Sequence, residues 1–437
     1  MELIRGYPIH ILFFVCGLLA AGGCRTVSPS KEAAAPISEE TALHNAVVSV
    51  WGEDNACLPT PLKWVEYESD LGERHVIDFE KGTVTVQLLL PLHADMNEAR
   101  IAEHLQQGVR NASLSSGVCP YEMQRNGEIE PVPAGRKAVF YEVQRGDTLW
   151  GVARAFQVDR SQIAAANGLS NETHLKIGQT LVIPPAPPHR LEKTEPPSRV
   201  GAPPILEGQL MTKDGEIVTR ENVDRFASGV CSSHDLAARN IVGADGVARK
   251  EVSLTFKLAD DHLQTRAMKY RPIVAKYAGK RGVDPALIMA MIHTESHFNP
   301  RARSSAPAYG LMQIVPRTAG KEAMRHLFDK DLSPEPNSLY EPDYNVRLGT
   351  AYIHVLQNRY FGRVSDPKSR TYCSVAGYNG GPTAVRQAFG KSSLTEMGGA
   401  VNSMEPKDVY MALKAGLASQ ETKGYLEKVN NRIALYR

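Results

Sequence analysis

The chain has 437 residues, 22% of them charged and 42% hydrophobic, which is the composition of a globular protein long enough for several domains. Its 50 lysines and arginines nearly balance its 48 aspartates and glutamates. This balance argues against the basic surface that holds a nucleic-acid backbone. We therefore expect no nucleic acid among the partners of this protein.

The first 23 residues have the pattern of a secretory signal peptide. Arg5 precedes an apolar run, residues 9–21, which is shorter than the ~20 residues that span a bilayer. The stretch LLAAGGCRT resembles the lipobox of bacterial lipoproteins, in which the cysteine is acylated. The resemblance implies a lipid anchor on Cys24, and Arg25 after it implies the outer membrane, with the protein facing the periplasm. The alternative is an ordinary signal peptide followed by an unrelated cysteine.

Residues 24–45 are rich in Ser, Pro, Ala and charge, which predicts a tether between the membrane and the domains. An exported protein permits disulfides, but the spacing fixes no pairing among the three cysteines of the next predicted domain: Cys57, Cys119 and Cys231. The cysteines also lack the close paired spacing of a zinc site. We expect no metal and no cofactor.

Two separated segments predict one α+β domain. Residues 46–137 contain two strands and a helix, and residues 205–260 contain a hairpin, a helix and a strand. Neither segment closes a sheet by itself. We therefore predict a discontinuous domain that is interrupted by an inserted unit, with Pro-rich residues 186–204 as a linker.

The inserted unit, residues 141–185, has the predicted order strand, helix, helix, strand. Its stretches RGDTLWGVARAF, IAAANGL and LKIGQTLVIP closely resemble a LysM domain, a βααβ module that binds glycans containing N-acetylglucosamine. The resemblance implies glycan-binding positions in the first turn and in the facing loop: Gly146, Asp147, Thr148, Leu149, Leu175, Lys176 and Ile177.

Residues 263–437 have helical patterns throughout and predict a mostly α domain. One helix begins at an Asp284 N-cap with Pro285 at its first position. Apolar residues then recur at helical spacing, and the next position on that side is Glu295. A carboxyl at this position is expected to be desolvated, with the raised pKa that a general acid needs near neutral pH.

Glu295 has two interpretations. In the first it is a structural acid, paired with Arg301 or Arg303. In the second it is catalytic, because a buried carboxyl beside the small polar loop SSAPAYG suits glycosidic cleavage in an exported protein. No zinc spacing competes, since His293 and His297 flank Glu295 on other faces of the helix.

Four stretches favour the catalytic interpretation. TESHFNPRARSS, YGLMQI, YNVRLGTAYI and AGYNGG, in this order, resemble the catalytic domain of the soluble lytic transglycosylase type, a lysozyme-like α fold. YESDLGERHVIDFEKGTVTVQ and the terminal stretch from Met404 are similar to membrane-bound lytic murein transglycosylases of the C type. The resemblance implies an acid/base role for Glu295, a place at the reaction centre for Tyr378, and substrate contacts for four residues: Ser304, Met312, Gln313 and Asn379.

The resemblance implies a multidomain α+β protein that acts on peptidoglycan glycan strands. It would cleave the bond between N-acetylmuramic acid and N-acetylglucosamine and leave a 1,6-anhydro sugar. Two alternatives stay open. One is a hydrolytic muramidase in which Asp329, Asp331 or Asp343 helps to position water, and the other is a non-catalytic peptidoglycan-binding lipoprotein.

Overall fold

The computed structural model describes residues 39–68, 71–92, 98–115, 139–142, 163, 167, 180–183 and 204–437. The predicted signal peptide, residues 24–38 of the predicted tether and all but residue 204 of the predicted Pro-rich linker lie outside these residues. Residues 39–45, predicted as part of the tether, instead belong to a helix. The described strands are β1 (Lys63–Tyr67), β2 (Glu73–Asp78), β3 (Thr83–Pro91), β4 (Val139–Glu142), β5 (Thr180–Ile183), β6 (Ala237–Val242) and β7 (Ala248–Lys257). The helices of the first part are α1 (Glu39–Trp51), α2 (Glu98–Leu114) and α3 (Val223–Ser233).

Five of these strands form an antiparallel sheet in the order β1-β2-β3-β7-β6. Strand β3 pairs with β7, so that Val84 lies opposite Phe256 and Val86 lies opposite Leu254. The sheet therefore combines strands that precede residues 139–183 with strands that follow them. The hairpin of β2 and β3 and the strand β7 occur where the alternation of apolar residues predicted them.

Helices cover this sheet on both faces. Leu105 of α2 and Phe226 of α3 join the core on one face, together with Ile77 of β2. On the opposite face Trp51 of α1 packs edge-on against Tyr67 of β1, with ring centroids 6.1 Å apart. We call these five strands, with α1, α2, α3 and the segments that join them within residues 43–115 and 204–260, the sheet region.

Strands β4 and β5 form a separate antiparallel pair in which Val139 lies opposite Ile183. Between them the structure describes Ile163 and Asn167, and the amide of Asn167 donates to the carbonyl of Ile163 at 3.2 Å. Ile163 and Leu181 are fully buried. These positions agree with the first strand, the second helix and the last strand predicted for this unit.

Residues 262–437, which we call the helical region, contain α4 (His262–Gly279), α5 (Pro285–Ser296), α6 (Lys321–Phe328), α7 (Pro342–Val355), α8 (Pro367–Ala388), α9 (Leu394–Asn402), α10 (Pro406–Gly416) and α11 (Gln420–Ile433). Helix α5 begins as predicted, because the carboxylate of Asp284 accepts a hydrogen bond from the amide of Ala286 at 2.9 Å. Every residue from Ala286 to His293 is buried. The helix is therefore surrounded by protein on all sides, rather than amphipathic as its spacing suggested.

Cys57, Cys231 and Cys373 are free thiols, and Cys119 lies outside the described residues. Burial raises the pKa of the Cys373 thiol to about 12, so it remains protonated. Across the described part of the chain, no helix is both long and apolar enough to cross a membrane.

Candidate active site

Glu295 lies in the last turn of α5, where solvent reaches part of the residue although its carboxyl is deep in the protein. Burial, with a smaller contribution from the charge of Glu421, raises the pKa of this carboxyl from 4.5 to about 8. The nearby hydroxyl of Tyr425 opposes the shift. Glu295 therefore keeps its proton at neutral pH, in the direction that the sequence pattern predicted.

Two tyrosines flank this carboxyl. The hydroxyl of Tyr378 on α8 donates to the carbonyl of Met312 at 2.8 Å. The hydroxyl of Tyr425 on α11 is buried next to Glu295 and makes no well-formed hydrogen bond to any described residue. Burial and the charge of Glu295 raise the pKa of both phenols well above its usual range. Both groups therefore remain hydrogen-bond donors at any working pH.

The chain turns sharply where α5 ends. His297 and Phe298 both have left-handed backbone conformations, with φ of 48° and 62°. Such conformations are unfavourable for residues with a Cβ and persist only where packing enforces them. Phe298 is fully buried and stacks on Tyr270, with ring centroids 6.3 Å apart. The hydroxyl of Ser296 donates to the carbonyl of Leu311 at 2.8 Å, which ties the helix end to the loop beside it.

Asn345 organises that loop. Its amide nitrogen donates to the carbonyls of Tyr309 and Leu339, and its oxygen accepts from the amide of Met312 at 2.9 Å. Gly310 has a φ of 73°, and a Cβ there would lie 2.2 Å from the Leu339 carbonyl oxygen. The loop can therefore approach α7 only with glycine at this position. The hydrogen bonds of Asn345 hold this loop so that the Met312 carbonyl lies under the hydroxyl of Tyr378.

The four residues predicted to contact substrate differ in their burial and in their hydrogen bonds. Met312 is fully buried, and its sulfur lies so close to Gly349 that a Cβ there would be 2.3 Å away. The amide of Gln313 donates to the carbonyls of Ala302 and Gly310 at 3.0 Å. These two side chains therefore stabilise the loop, and their contact with sugar remains a prediction.

Ser304 and Asn379 are more accessible, since both are partly exposed. The hydroxyl of Ser304 donates to the carbonyl of Ala306. The amide nitrogen of Asn379 donates to the carboxylate of Glu421 at 3.0 Å, and its oxygen accepts from the Thr422 hydroxyl at 2.7 Å. Asn379 thus fixes the first turn of α11, the helix that also carries Tyr425.

The three aspartates that the sequence offered as partners of Glu295 make other contacts. Asp343 accepts hydrogen bonds from Tyr277 and Lys276, and Asp331 pairs with Arg325 and Lys321. Asp329 ends α6 in a left-handed conformation. The acid whose charge acts on Glu295 is Glu421, which the sequence reasoning missed.

Glu421 and Tyr425 lie about 130 residues beyond Glu295, and no local motif marks them. Their only signal is the i, i+4 spacing, which places both on one side of α11. The predicted LysM contacts and the predicted lipidation site cannot be compared, because they lie outside the described residues: Gly146, Asp147, Thr148, Leu149, Leu175, Lys176, Ile177 and Cys24.

The histidines beside Glu295 are structural. The rings of His293 and His297 pack edge-on with centroids 4.8 Å apart, and the His293 ring bonds the Tyr436 hydroxyl at 2.9 Å. Burial lowers their pKa values to about 4 and about 3, so both are neutral near pH 7. Where the structure describes the chain, no three His, Cys, Asp or Glu side chains are grouped as a metal site requires.

Comparison with known sequences identifies two parts of the chain. Residues 272–396 match the Transglycosylase SLT domain. Residues 141–184 match the LysM domain. Both domain resemblances predicted from the sequence are therefore confirmed, and the SLT match includes Glu295 and Tyr378.

Curated relatives match part of the chain. The chain is 43% identical over 187 residues to membrane-bound lytic murein transglycosylase C of Serratia proteamaculans, covering 42% of this chain and 51% of the relative. It is 36% identical over 241 residues to the protein of that name from Yersinia pestis, covering 55% of this chain and 65% of the relative. The chain thus spans between half and two thirds of the length of these relatives.

Solved structures give partial matches. The 70 kDa soluble lytic transglycosylase of Escherichia coli matches with 27% identity and a TM-score of 0.32, over 40% of this chain and 25% of that one. The lytic transglycosylase Slt of Pseudomonas aeruginosa matches with 28% identity and a TM-score of 0.30, over 39% and 24%.

Proposed function

We propose that this protein is a lytic transglycosylase of peptidoglycan. It would cleave the β-1,4 bond between N-acetylmuramic acid and N-acetylglucosamine and leave 1,6-anhydro-N-acetylmuramic acid. The observation that carries the proposal is the carboxyl of Glu295, whose pKa is raised to about 8 inside a segment that matches the SLT domain. A carboxyl that is protonated at neutral pH is the group that must donate a proton to a glycosidic oxygen.

The reaction needs one carboxyl used twice. Glu295 first donates its proton to the bridging oxygen, and the 2-acetamido group of the muramyl residue assists at C1 as that bond breaks. The Glu295 carboxylate then accepts the proton of the muramyl 6-hydroxyl as its oxygen attacks C1. The carboxyl ends the cycle protonated, and water is not consumed. General acid and base catalysis of this kind contributes roughly 10²- to 10⁴-fold.

The two tyrosines support the ionised stages of this cycle. Tyr425 has a buried hydroxyl directed to the neighbourhood of Glu295 and free of other partners among the described residues, so it can donate to the carboxylate formed after proton transfer. Tyr378 is held in place by its bond to the Met312 carbonyl. The phenol of Tyr378 also lies close enough to Glu295 that the charge of this carboxyl contributes to the raised pKa of Tyr378. Donors that are already oriented stabilise developing charge without reorganisation.

A hydrolytic muramidase is the second candidate, because Glu421 is an acid close to Glu295. For hydrolysis Glu421 would have to orient a water molecule. One of its oxygens already accepts from Asn379, and the side chain is solvent-exposed. These contacts suit an electrostatic role for Glu421, in which its charge helps to keep Glu295 protonated.

The chemistry at the new chain end tests the proposal. Digestion of purified murein, followed by mass spectrometry of the released fragments, should give anhydromuramyl ends. Reducing muramyl ends would instead establish the muramidase. The absence of any released fragment would leave the protein as a wall-binding lipoprotein, the third possibility that the sequence allowed.

The matched LysM segment would hold the enzyme on its polymeric substrate, and a lipid on Cys24 would place it at the outer membrane facing the periplasm. In a Glu295→Gln background, which leaves murein intact, replacing residues 141–184 by a short Gly/Ser linker should weaken co-sedimentation with murein by about tenfold, because one of two linked binding sites is lost. The unshortened Glu295→Gln protein is the control. Equal sedimentation of the two would contradict LysM targeting, and loss of the sheet signal in circular dichroism would contradict the insertion of this unit in a surface loop.

A further inference from the structure

Arg266 on α4 is a buried cation whose partners are all neutral. Its residue is 2% exposed, and its guanidinium bonds the Gln209 oxygen at 2.6 Å, the Phe79 carbonyl at 3.1 Å and the His262 ring at 2.9 Å. The fourth bond, from Nε, reaches the carbonyl of His297 at 3.0 Å. Because the guanidinium is buried and no carboxylate pairs with it, the pKa of Arg266 is lowered to about 10. A charge buried without an anionic partner is costly, and these four hydrogen bonds offset part of that cost.

The four bonds join two regions of the molecule. Phe79 and Gln209 belong to the sheet region, on different sides of the predicted insertion. His297 is two residues beyond Glu295, in the strained left-handed turn that ends α5. Arg266 thus connects the sheet region directly to the backbone that carries the proposed acid.

Other contacts reach the same turn. Arg432 donates to the carbonyl of His293 at 3.2 Å and to the Thr294 hydroxyl at 3.1 Å. The amide of Asn299 donates to the carbonyl of Pro61 in the sheet region at 3.3 Å. Cations at a helix C-terminus bind its unpaired carbonyls and offset its dipole. Arg266 and Asn299 both join the turn to the sheet region, and Arg266 does so through two acceptors there, Phe79 and Gln209.

We propose that Arg266 is a positioning residue, through which the sheet region holds the end of α5 so that Glu295 stays aligned for proton transfer. The sheet region would then be part of the catalytic apparatus, although it carries none of the proposed catalytic groups. The inference rests on the proposed role of Glu295. It predicts that changes more than 80 residues before Glu295 alter turnover while substrate binding is retained.

The test compares three variants of the full chain. Arg266→Lys keeps the charge but lacks the planar fork that serves several acceptors at once. Gln209→Met keeps the guanidinium and the side-chain volume but removes an anchor in the sheet region. Lys269→Met is the matched control, because it removes an exposed ion pair with Glu207 that crosses the same boundary from the same helix.

We expect kcat to fall by about 10- to 100-fold in Arg266→Lys and by a smaller factor in Gln209→Met, with KM nearly unchanged, since small misplacements of a catalytic group have effects of this size. Lys269→Met should match the wild type. A second readout is the ¹³C NMR titration of the Glu295 carboxyl, which faces Glu421 and Tyr425 of α11 and Tyr378 of α8. Its pKa should move down toward 4.5 in Arg266→Lys, because a looser turn relieves its burial while the positive charge is retained.

Wild-type kcat and an unchanged Glu295 titration in both Arg266→Lys and Gln209→Met would overturn the inference. If Arg266→Lys does not fold, Gln209→Met decides alone by the same two measurements. The nature of the product is a separate matter. Reducing ends from the wild type would refute the transglycosylase, whereas the ratio of rates between variant and control would still test Arg266 for either chemistry.

Discussion

Replacing Glu295 by glutamine should lower the rate of glycan cleavage by about 10³-fold, which is within the range of general acid and base catalysis. The amide has nearly the same shape as the carboxyl but cannot donate a proton to the leaving oxygen or accept one from the 6-hydroxyl. Release of soluble fragments from murein measures the effect. Glu427→Gln makes the same chemical change at an exposed position of α11 and should leave the rate unchanged. Equal release by Glu295→Gln and wild type would remove Glu295 from the mechanism.

The same substitution should make the protein more stable, in a way that depends on pH. The pKa of Glu295 is about 8 in the folded protein against an ordinary 4.5, so the folded state holds the proton more tightly. Below pH 4.5 the carboxyl is protonated in both the folded and the unfolded state, so its burial does not lower the free energy of unfolding through ionisation. Between 4.5 and 8 the unfolded chain ionises while the folded one does not, so wild-type stability falls as pH rises.

Glutamine does not ionise and escapes this penalty. Each pKa unit corresponds to ~1.4 kcal/mol, and partial solvent access reduces the full effect, so we expect Glu295→Gln to raise the free energy of unfolding by about 2 kcal/mol at pH 8. The gain should vanish near pH 4. Urea denaturation at the two pH values measures it. A variant that is equally stable or less stable than wild type at pH 8 would show that the carboxyl is not desolvated.

Tyr378→Phe should lower kcat by about 100-fold, a typical cost of losing one oriented donor at a reaction centre. The substitution also leaves the buried carbonyl of Met312 without the hydrogen bond that Tyr378 donates at 2.8 Å. This should cost about 1–3 kcal/mol of stability. Steady-state cleavage rates and thermal unfolding separate the two effects.

Tyr352→Phe is the matched control for Tyr378→Phe. The Tyr352 ring lies 5.4 Å from the ring of Tyr378 and belongs to the same buried cluster, but it lies outside the proposed catalytic group. Its loss of a hydroxyl should leave kcat unchanged. If Tyr378→Phe and Tyr352→Phe have similar kcat values, whether near the wild-type value or strongly reduced, the hydroxyl of Tyr378 has no specific role in the reaction.

The sequence was sufficient for local features whose signal is carried by neighbouring residues. The start of α5 at Asp284 and Pro285, the hairpin of β2 and β3, and the strand β7 occur as predicted. Strands β1 and β6 were missed. Strand β6 is an edge strand exposed at five of its six residues, so it lacks the apolar alternation that marks a half-buried strand.

The raised pKa of Glu295 was predicted in the right direction from an incomplete picture. Helical phase suggested a buried stripe, whereas α5 is surrounded on all sides and Glu295 is its partly exposed end. Burial is the main cause of the raised pKa, and Tyr425 and Glu421, which tertiary folding brings to Glu295 from the last helix, modify it in opposite directions. No local pattern contains that information.

The substrate contacts that the family motifs imply for the loop residues remain predictions. The sequence did not predict the contacts that these residues make within the protein, where the sulfur of Met312 fills the space over Gly349 and the amide of Gln313 bonds the carbonyls of Ala302 and Gly310. The left-handed turn at His297 and Phe298 contains no glycine, the residue that usually indicates such a conformation in a sequence. The hydrogen bonds of Arg266 to Phe79 and Gln209 join residues that are 187 and 57 positions apart in the sequence, so no local pattern predicts them.

Digestion of murein in H₂¹⁸O tests the central claim most directly, because a transglycosylase uses the muramyl 6-hydroxyl where a hydrolase uses water. The proposed mechanism predicts 1,6-anhydromuramyl ends that contain no ¹⁸O, formed by the wild type and by Glu427→Gln but not by Glu295→Gln. Reducing muramyl ends that carry one ¹⁸O atom at C1 would contradict it and would establish attack by water.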